Sequence, residues 1–146
     1  MPEILRKSVF ICLTVFLLNP LNQTWAKWVF ISNDNVGNAY YYEDTKTVVN
    51  SAASEVSTWQ LISYNEALTA PNGSPTQSIV QDMSYFCKAG YESYKQFYIG
   101  YYSGPGGSGV SVEQLDTSDS PWDRVIPDTM SYVLYQFFCK SLSPSN

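Results

Sequence analysis

TQSIVQDMSYFC, residues 76–87, alternates more cleanly than any other stretch of this chain. Ile79, Met83, Tyr85 and Cys87 share one side of an extended strand, and Thr76, Ser78, Asp82 and Ser84 share the other. A period of two with one apolar side specifies a strand whose apolar side must be covered. The breakers on either side agree. Pro71-Asn72-Gly73-Ser74-Pro75 ends a loop predicted over Asn65 to Pro75, and Lys88-Ala89-Gly90 turns the chain after Cys87.

Working outward, Glu55 to Tyr64 (EVSTWQLISY) and Tyr91 to Tyr102 (YESYKQFYIGYY) read as the flanking strands, with Gly100 expected to mark a bulge. Earlier in the chain, Lys27 to Ser32 and Ala39 to Glu43 form a hairpin across the turn NDNVGN, and Thr47 to Val49 is extended. Val110 to Leu115 is the last strand, after the turn Gly104 to Gly109. Asp116 to Pro127 reads as an irregular acidic loop anchored by Trp122. Asp128 is then the expected N-cap of a helix over Thr129 to Lys140, with Met130, Val133, Leu134, Phe137 and Phe138 as its buried stripe. The tail Ser141 to Asn146 is expected to fray. The expected fold class is α+β: an antiparallel sheet of about six strands with one C-terminal helix packed on a face.

The first 26 residues read as a cleavable export signal. Glu3, Arg6 and Lys7 form a charged start, and Ser8 to Leu18 is an apolar run too short for a stable membrane span. Asn19-Pro20 breaks that run, and Thr24-Trp25-Ala26 places small side chains at minus three and minus one. Cleavage after Ala26 leaves residues 27–146 as a single expected domain. Cys12 does not fit a lipid-attachment cysteine, because Phe10 and Ile11 are bulky where a small residue is needed. The expected compartment is the periplasm, the cell surface or the extracellular space.

Cysteine usage fits export. With Cys12 inside the leader, Cys87 and Cys139 remain as an even pair, expected to form a disulfide that staples the helix to the sheet. The alternative is two buried thiols. Metal binding is the weaker reading, since the chain has no histidine and two cysteines do not make a four-ligand site.

Charge and chemistry narrow the function. Without the leader the chain carries 12 acidic and 6 basic residues, a poor match for nucleic acid or anionic lipid. The Gly104 to Gly109 segment lacks the Lys-Ser/Thr ending of a phosphate loop and reads as a hairpin turn. Glu43 and Asp44 point to opposite faces of a regular strand, and Asp116, Asp119 and Asp123 sit on a polar loop, so neither set makes a two-carboxylate site. A serine nucleophile has no histidine to activate it. The expectation is therefore a protein that is not an enzyme and uses neither a cofactor nor a metal.

Aromatics make up 16% of the chain, including twelve tyrosines. The strands at 55–64 and 91–102 are apolar on both sides, whereas one helix covers one side. In the second strand Phe97, Ile99 and Tyr101 are expected on one side, and Tyr94, Tyr98 and Tyr102 on the other. The uncovered side needs a dimer partner, the long loops or a ligand. Tyr41, Tyr42, Tyr94, Tyr98 and Tyr102 are the candidate contact residues, because tyrosine combines a large ring with a polar tip. The other reading of these rings is ordinary sheet packing.

An ordered set of residues carries a family resemblance: Trp28-Val29, Tyr41-Tyr42-Glu43-Asp44, Trp59, Tyr64, Cys87, Tyr101-Tyr102-Ser103-Gly104-Pro105, Gly109-Val110, Pro121-Trp122, Val125-Ile126-Pro127 and Cys139-Lys140. In order and spacing the chain resembles the bacterial surface-adhesin protein E-like domains. The resemblance implies an antiparallel sheet with a disulfide-tethered C-terminal helix, and a homodimer as in the founding adhesin. It implies exposure on the bacterial envelope and binding of host matrix and plasma proteins such as laminin and vitronectin. The founding member is lipid-anchored, whereas this chain lacks the lipid-attachment motif. A second function fits the same fold, a periplasmic structural or enzyme-inhibitor module.

Overall fold

The computed structural model describes residues 27–142. The leader expected over residues 1–26 and the last four residues lie outside that range.

Eight strands form one antiparallel sheet: β1 (Trp28–Asn33), β2 (Ala39–Glu43), β3 (Val48–Asn50), β4 (Glu55–Thr69), β5 (Pro75–Phe86), β6 (Ser93–Tyr102), β7 (Ser111–Asp116) and β8 (Asp123–Arg124). The main order is β1-β2-β4-β5-β6-β7, with β3 also pairing β4 and β8 also pairing β6. The expected count of about six is therefore too low. β4 is too long for one short partner, so β2 takes Gln60 to Ser63 and β3 takes Glu55 to Ser57. β8 pairs Asp123 and Arg124 with Tyr94 and Ser93, and two residues are too few to show a period.

β4 runs five residues beyond its expected end. After an irregularity between Ser63 and Leu68, the strand resumes with Leu68 opposite Thr76 and Thr69 opposite Pro75. The turn itself is only Ala70 to Ser74, closed by Ala70 N–H to Ser74 C=O at 2.8 Å. Gly73 takes φ +87° there, a conformation that favours glycine.

In β6 the bulge falls at Phe97 rather than at Gly100. Gln96 lies opposite Met83 and Tyr98 opposite Asp82, which leaves Phe97 as the extra residue. One extra residue reverses the phase of everything after it. Tyr94 therefore shares a side with Ile99 and Tyr101, and Tyr98 and Tyr102 take the other, which corrects the expected grouping. Gly100 pairs regularly with Val80 and Gln114. A Cβ there would come within 2.8 Å of the Tyr98 hydroxyl, so close aromatic packing is what requires the glycine.

The helix begins one residue later than expected. Thr129 is the N-cap, Asp128 sits at φ +62°, and α1 spans Met130–Gln136 before widening into π-type turns over Phe137–Leu142. The buried side chains are Leu134, Tyr135 and Phe138, whereas Val133 of the expected stripe is exposed. Leu134 and Phe138 keep the i, i+4 spacing, and the inward face is rotated so that Tyr135 rather than Val133 joins them.

The core lies between helix and sheet: Tyr42, Val56, Met83 and Tyr85 from the strands meet Leu134, Tyr135 and Phe138. Phe138 is fully buried, stacked on Tyr85 at a centroid distance of 4.9 Å and edge-on to Tyr42 at 5.8 Å. Each such side chain contributes about 1.5–3 kcal/mol of burial before entropy. Cys87 and Cys139 form a disulfide with a Cα separation of 5.3 Å. Closing a loop of 52 residues' separation is worth about 4 kcal/mol in the chain-entropy description.

Candidate functional site

Strand alternation gives the sheet two sides with different fates. Tyr40, Tyr42, Val56, Ile62, Ile79, Met83, Tyr85 and Tyr94 fall on the helix side by register. Phe30, Tyr41, Trp59, Asp82, Tyr98 and Tyr102 fall on the opposite side.

On that opposite side aromatic rings lie in cross-strand pairs. Phe30 meets Tyr41 edge-on at 5.6 Å, and Phe30 remains 52% exposed. Trp59 lies 5.5 Å from Tyr98 across the intervening Asp82, with all three half-buried. The Lys46 ammonium sits 5.5 Å above the Trp59 ring, and Lys95 sits 5.1 Å from the Phe97 ring. Burial holds the Asp82 carboxyl above the usual carboxylate range. At the far end Trp122 packs edge-on against Phe86 at 6.3 Å and stays exposed.

Part of this side is covered from within. The segment Gly104 to Gly109 folds over Leu61 and Val80, and Leu61 is buried there. Gly107 N–H donates to Ser78 Oγ at 2.9 Å, Gly106 N–H donates to Ser63 Oγ at 3.2 Å, and Ser78 Oγ donates to the Gly104 carbonyl at 2.6 Å. These amides are spent on serine hydroxyls, so the glycine segment is a flap on the sheet and not an anion cradle. The Phe30–Tyr41 and Trp59–Tyr98 pairs flank the covered patch.

The helix side carries a groove of about 380 Å³ between the first turns of α1 and the sheet, lined in part by Tyr40, Ile62, Met83, Tyr94 and Leu134. A chain of amides crosses its floor. Gln96 Nε2 donates to Gln81 Oε1 at 2.8 Å, Gln81 Nε2 to Gln60 Oε1 at 3.2 Å, and Gln60 Nε2 to the Tyr85 hydroxyl at 2.7 Å. Burial drives the Tyr85 phenol well above its ordinary range. Sequence reading passed over this ladder. Its signal was a glutamine in the apolar phase of two neighbouring strands, at Gln60 and Gln81.

The five expected contact tyrosines do not form one platform. Tyr41, Tyr98 and Tyr102 lie on the side away from the helix. Tyr94 lines the groove beside Asp123. Tyr42 is in the core, 7% exposed and 5.3 Å from Phe137, so it presents no contact surface. The additional residues on the open side are Phe30, Trp59, Lys46 and Asp82. Among the described residues no group of three or more Cys, Asp or Glu side chains is placed to hold a metal ion. No described helix is long and apolar enough to cross a membrane.

Comparison with known proteins places this geometry. Protein E of Haemophilus influenzae has a similar structure, with a TM-score of 0.54 at 18% identity, over 80% of this chain and 86% of that one. A second crystal form of the same protein gives 0.59 at 16% identity, over 87% of this chain and 98% of that one. These likenesses establish a shared fold. Comparison with curated protein sequences finds no match. The family described as surface-adhesin protein E matches residues 28–140, from the first residue of β1 to one residue past the bridged Cys139. The chain therefore belongs to the surface-adhesin protein E family.

Proposed function

We propose that the chain is an exported, non-catalytic domain of the bacterial envelope that binds protein ligands on the side of the sheet away from the helix. The ligand class is host matrix and plasma protein, with laminin and vitronectin as the first candidates, in keeping with the family. The carrying observation is the pair of aromatic contacts, Phe30–Tyr41 and Trp59–Tyr98, left beside the glycine flap with Lys46 stacked over Trp59. Large rings with polar neighbours are the groups that dominate protein–protein binding energy. An acidic chain with this surface suits a protein partner better than nucleic acid.

The test has two arms. Protease added to intact cells removes a surface-exposed adhesin, and survival of the protein would place it in the periplasm and end the surface reading. In the second arm, purified protein is titrated onto immobilised laminin and vitronectin. Trp59→Ala with Tyr98→Ala weakens binding by at least about tenfold, as expected for central aromatic anchors. Absence of binding at micromolar concentration, or unaltered binding by the double variant, overturns the proposal.

A further inference from the structure

Glu43 is a buried carboxylate that no cation among the described residues is seen to pair with. The residue is 1% exposed. Its Oε1 accepts the Thr45 hydroxyl at 2.6 Å and the Lys27 backbone N–H at 3.1 Å. Its Oε2 is buried with no hydrogen-bond partner. A buried carboxylate with a free oxygen is costly unless a cation or further donors meet it.

The nitrogen beside it is the one that export processing would transform. Lys27 is the residue expected to follow the cleavage site, and hydrolysis there adds water across the Ala26–Lys27 amide. The C–N bond breaks, Ala26 leaves as a carboxylate, and the Lys27 nitrogen takes up protons to become an α-ammonium. One N–H becomes three, and a neutral donor becomes a cation, already within hydrogen-bond distance of Glu43.

We infer that removal of the leader creates an ion pair between the new Lys27 α-ammonium, at the surface, and the buried Glu43 carboxylate, which fixes the edge of the sheet only in the processed protein. The extra protons of the ammonium supply the donor that Oε2 lacks. The consequence reaches the open side. Glu43 also organises the following turn, because Thr45 donates to its side chain and Thr47 Oγ1 donates to its carbonyl at 2.9 Å. That turn, Asp44–Lys46, carries the lysine that sits over Trp59. Locking Glu43 thus locks one wall of the aromatic surface.

The inference rests on cleavage after Ala26, and the experiment checks that step separately. Intact mass of the exported protein gives Lys27 as its first residue, and any other first residue overturns the inference. The processed protein is then compared with the same chain retaining Ala26, in which the Lys27 nitrogen is still an amide. The free-amine form melts about 5 °C higher, the shift expected when a cation meets a buried carboxylate in a chain of this size. Glu43→Gln removes that difference, leaving the two forms alike. Equal melting of the two wild-type forms, or a difference that survives Glu43→Gln, overturns the inference. Should Glu43→Gln fail to fold, acetylation of the Lys27 α-amine of the processed protein lowers its melting point to that of the Ala26-bearing form. No change on acetylation is equally decisive against the inference.

Discussion

Tyr41 and Tyr42 are neighbours in one strand and end in opposite environments. Tyr42 is sealed under the helix against Phe137 and Phe138. Tyr41 looks the other way, with its ring against a Phe30 that stays 52% exposed. The pleat separates them, and the C-terminal helix decides which one becomes core. The same contrast holds for the whole sheet. Both sides are rich in aromatic rings, yet one is closed by a covalently tethered helix and the other only in part by a glycine flap. An aromatic ring on this sheet is most deeply buried beneath the helix, as at Tyr42 and Tyr85, and is left half-buried on the other side, as at Tyr41, Trp59 and Tyr98.

The tether is the largest single term in that contrast. Replacing both Cys87 and Cys139 with serine destabilises the protein by about 4 kcal/mol, read from urea unfolding. It also raises amide exchange in the helix before the central strands. If stability is unchanged, the helix is held by packing alone and the covalent half of the comparison fails.

Next in size is the packing beneath it. Phe138→Ala costs about 3–4 kcal/mol, since the ring is fully buried between Tyr42 and Tyr85. Phe30→Ala on the open side costs less than about 1 kcal/mol. Similar losses at the two positions would mean that the open side is a second core and not a surface.

The smallest effect sharpens the open side itself. Burial raises the Asp82 carboxyl pKa, so the ionised form is disfavoured in the folded protein. For an acid with a raised folded pKa, stability is full below the unfolded value near 4 and declines as pH rises through the folded value. Asp82→Asn therefore raises the melting temperature at pH 7 by about 1–2 °C and has no such benefit below about pH 4. A gain of the same size at both pH values would assign the effect to something other than charge.

Much of this molecule was legible in its residues, and the failures have local causes. β5 was readable because its apolar and polar residues alternate without interruption between strong breakers. The turn at Pro71 to Ser74 is readable for the same reason, although the loop expected from Asn65 is shorter in the structure because β4 continues to Thr69. Glu66, Ala67 and Leu68 carry no alternation, and only pairing with β5 makes the end of that stretch a strand. The candidate surface was half legible. Tyr41, Tyr98 and Tyr102 lie on the open side as a group, but Tyr42 and Tyr94 do not. Tyr94 falls on the other side because the bulge at Phe97 inverts the phase of β6, and an inserted residue leaves no mark where aromatic rings occur in both phases. Tyr42 is core rather than surface because a run of three tyrosines does not say which face the helix will take.

What the sequence determined by itself was local: where strands alternate, where glycine and proline break them, that Cys87 closes a strand and Cys139 a helix, and that a C-terminal amphipathic segment is a helix. These follow from backbone geometry and side-chain type within a few residues of each position. Only the tertiary structure decided which side the helix closes, where the glycine flap lies, how three glutamines on three strands join in one chain of hydrogen bonds, and that Glu43 is buried beside the Lys27 nitrogen. Those outcomes depend on register and cover, which couple residues far apart in the chain and are set by the packing of the whole sheet.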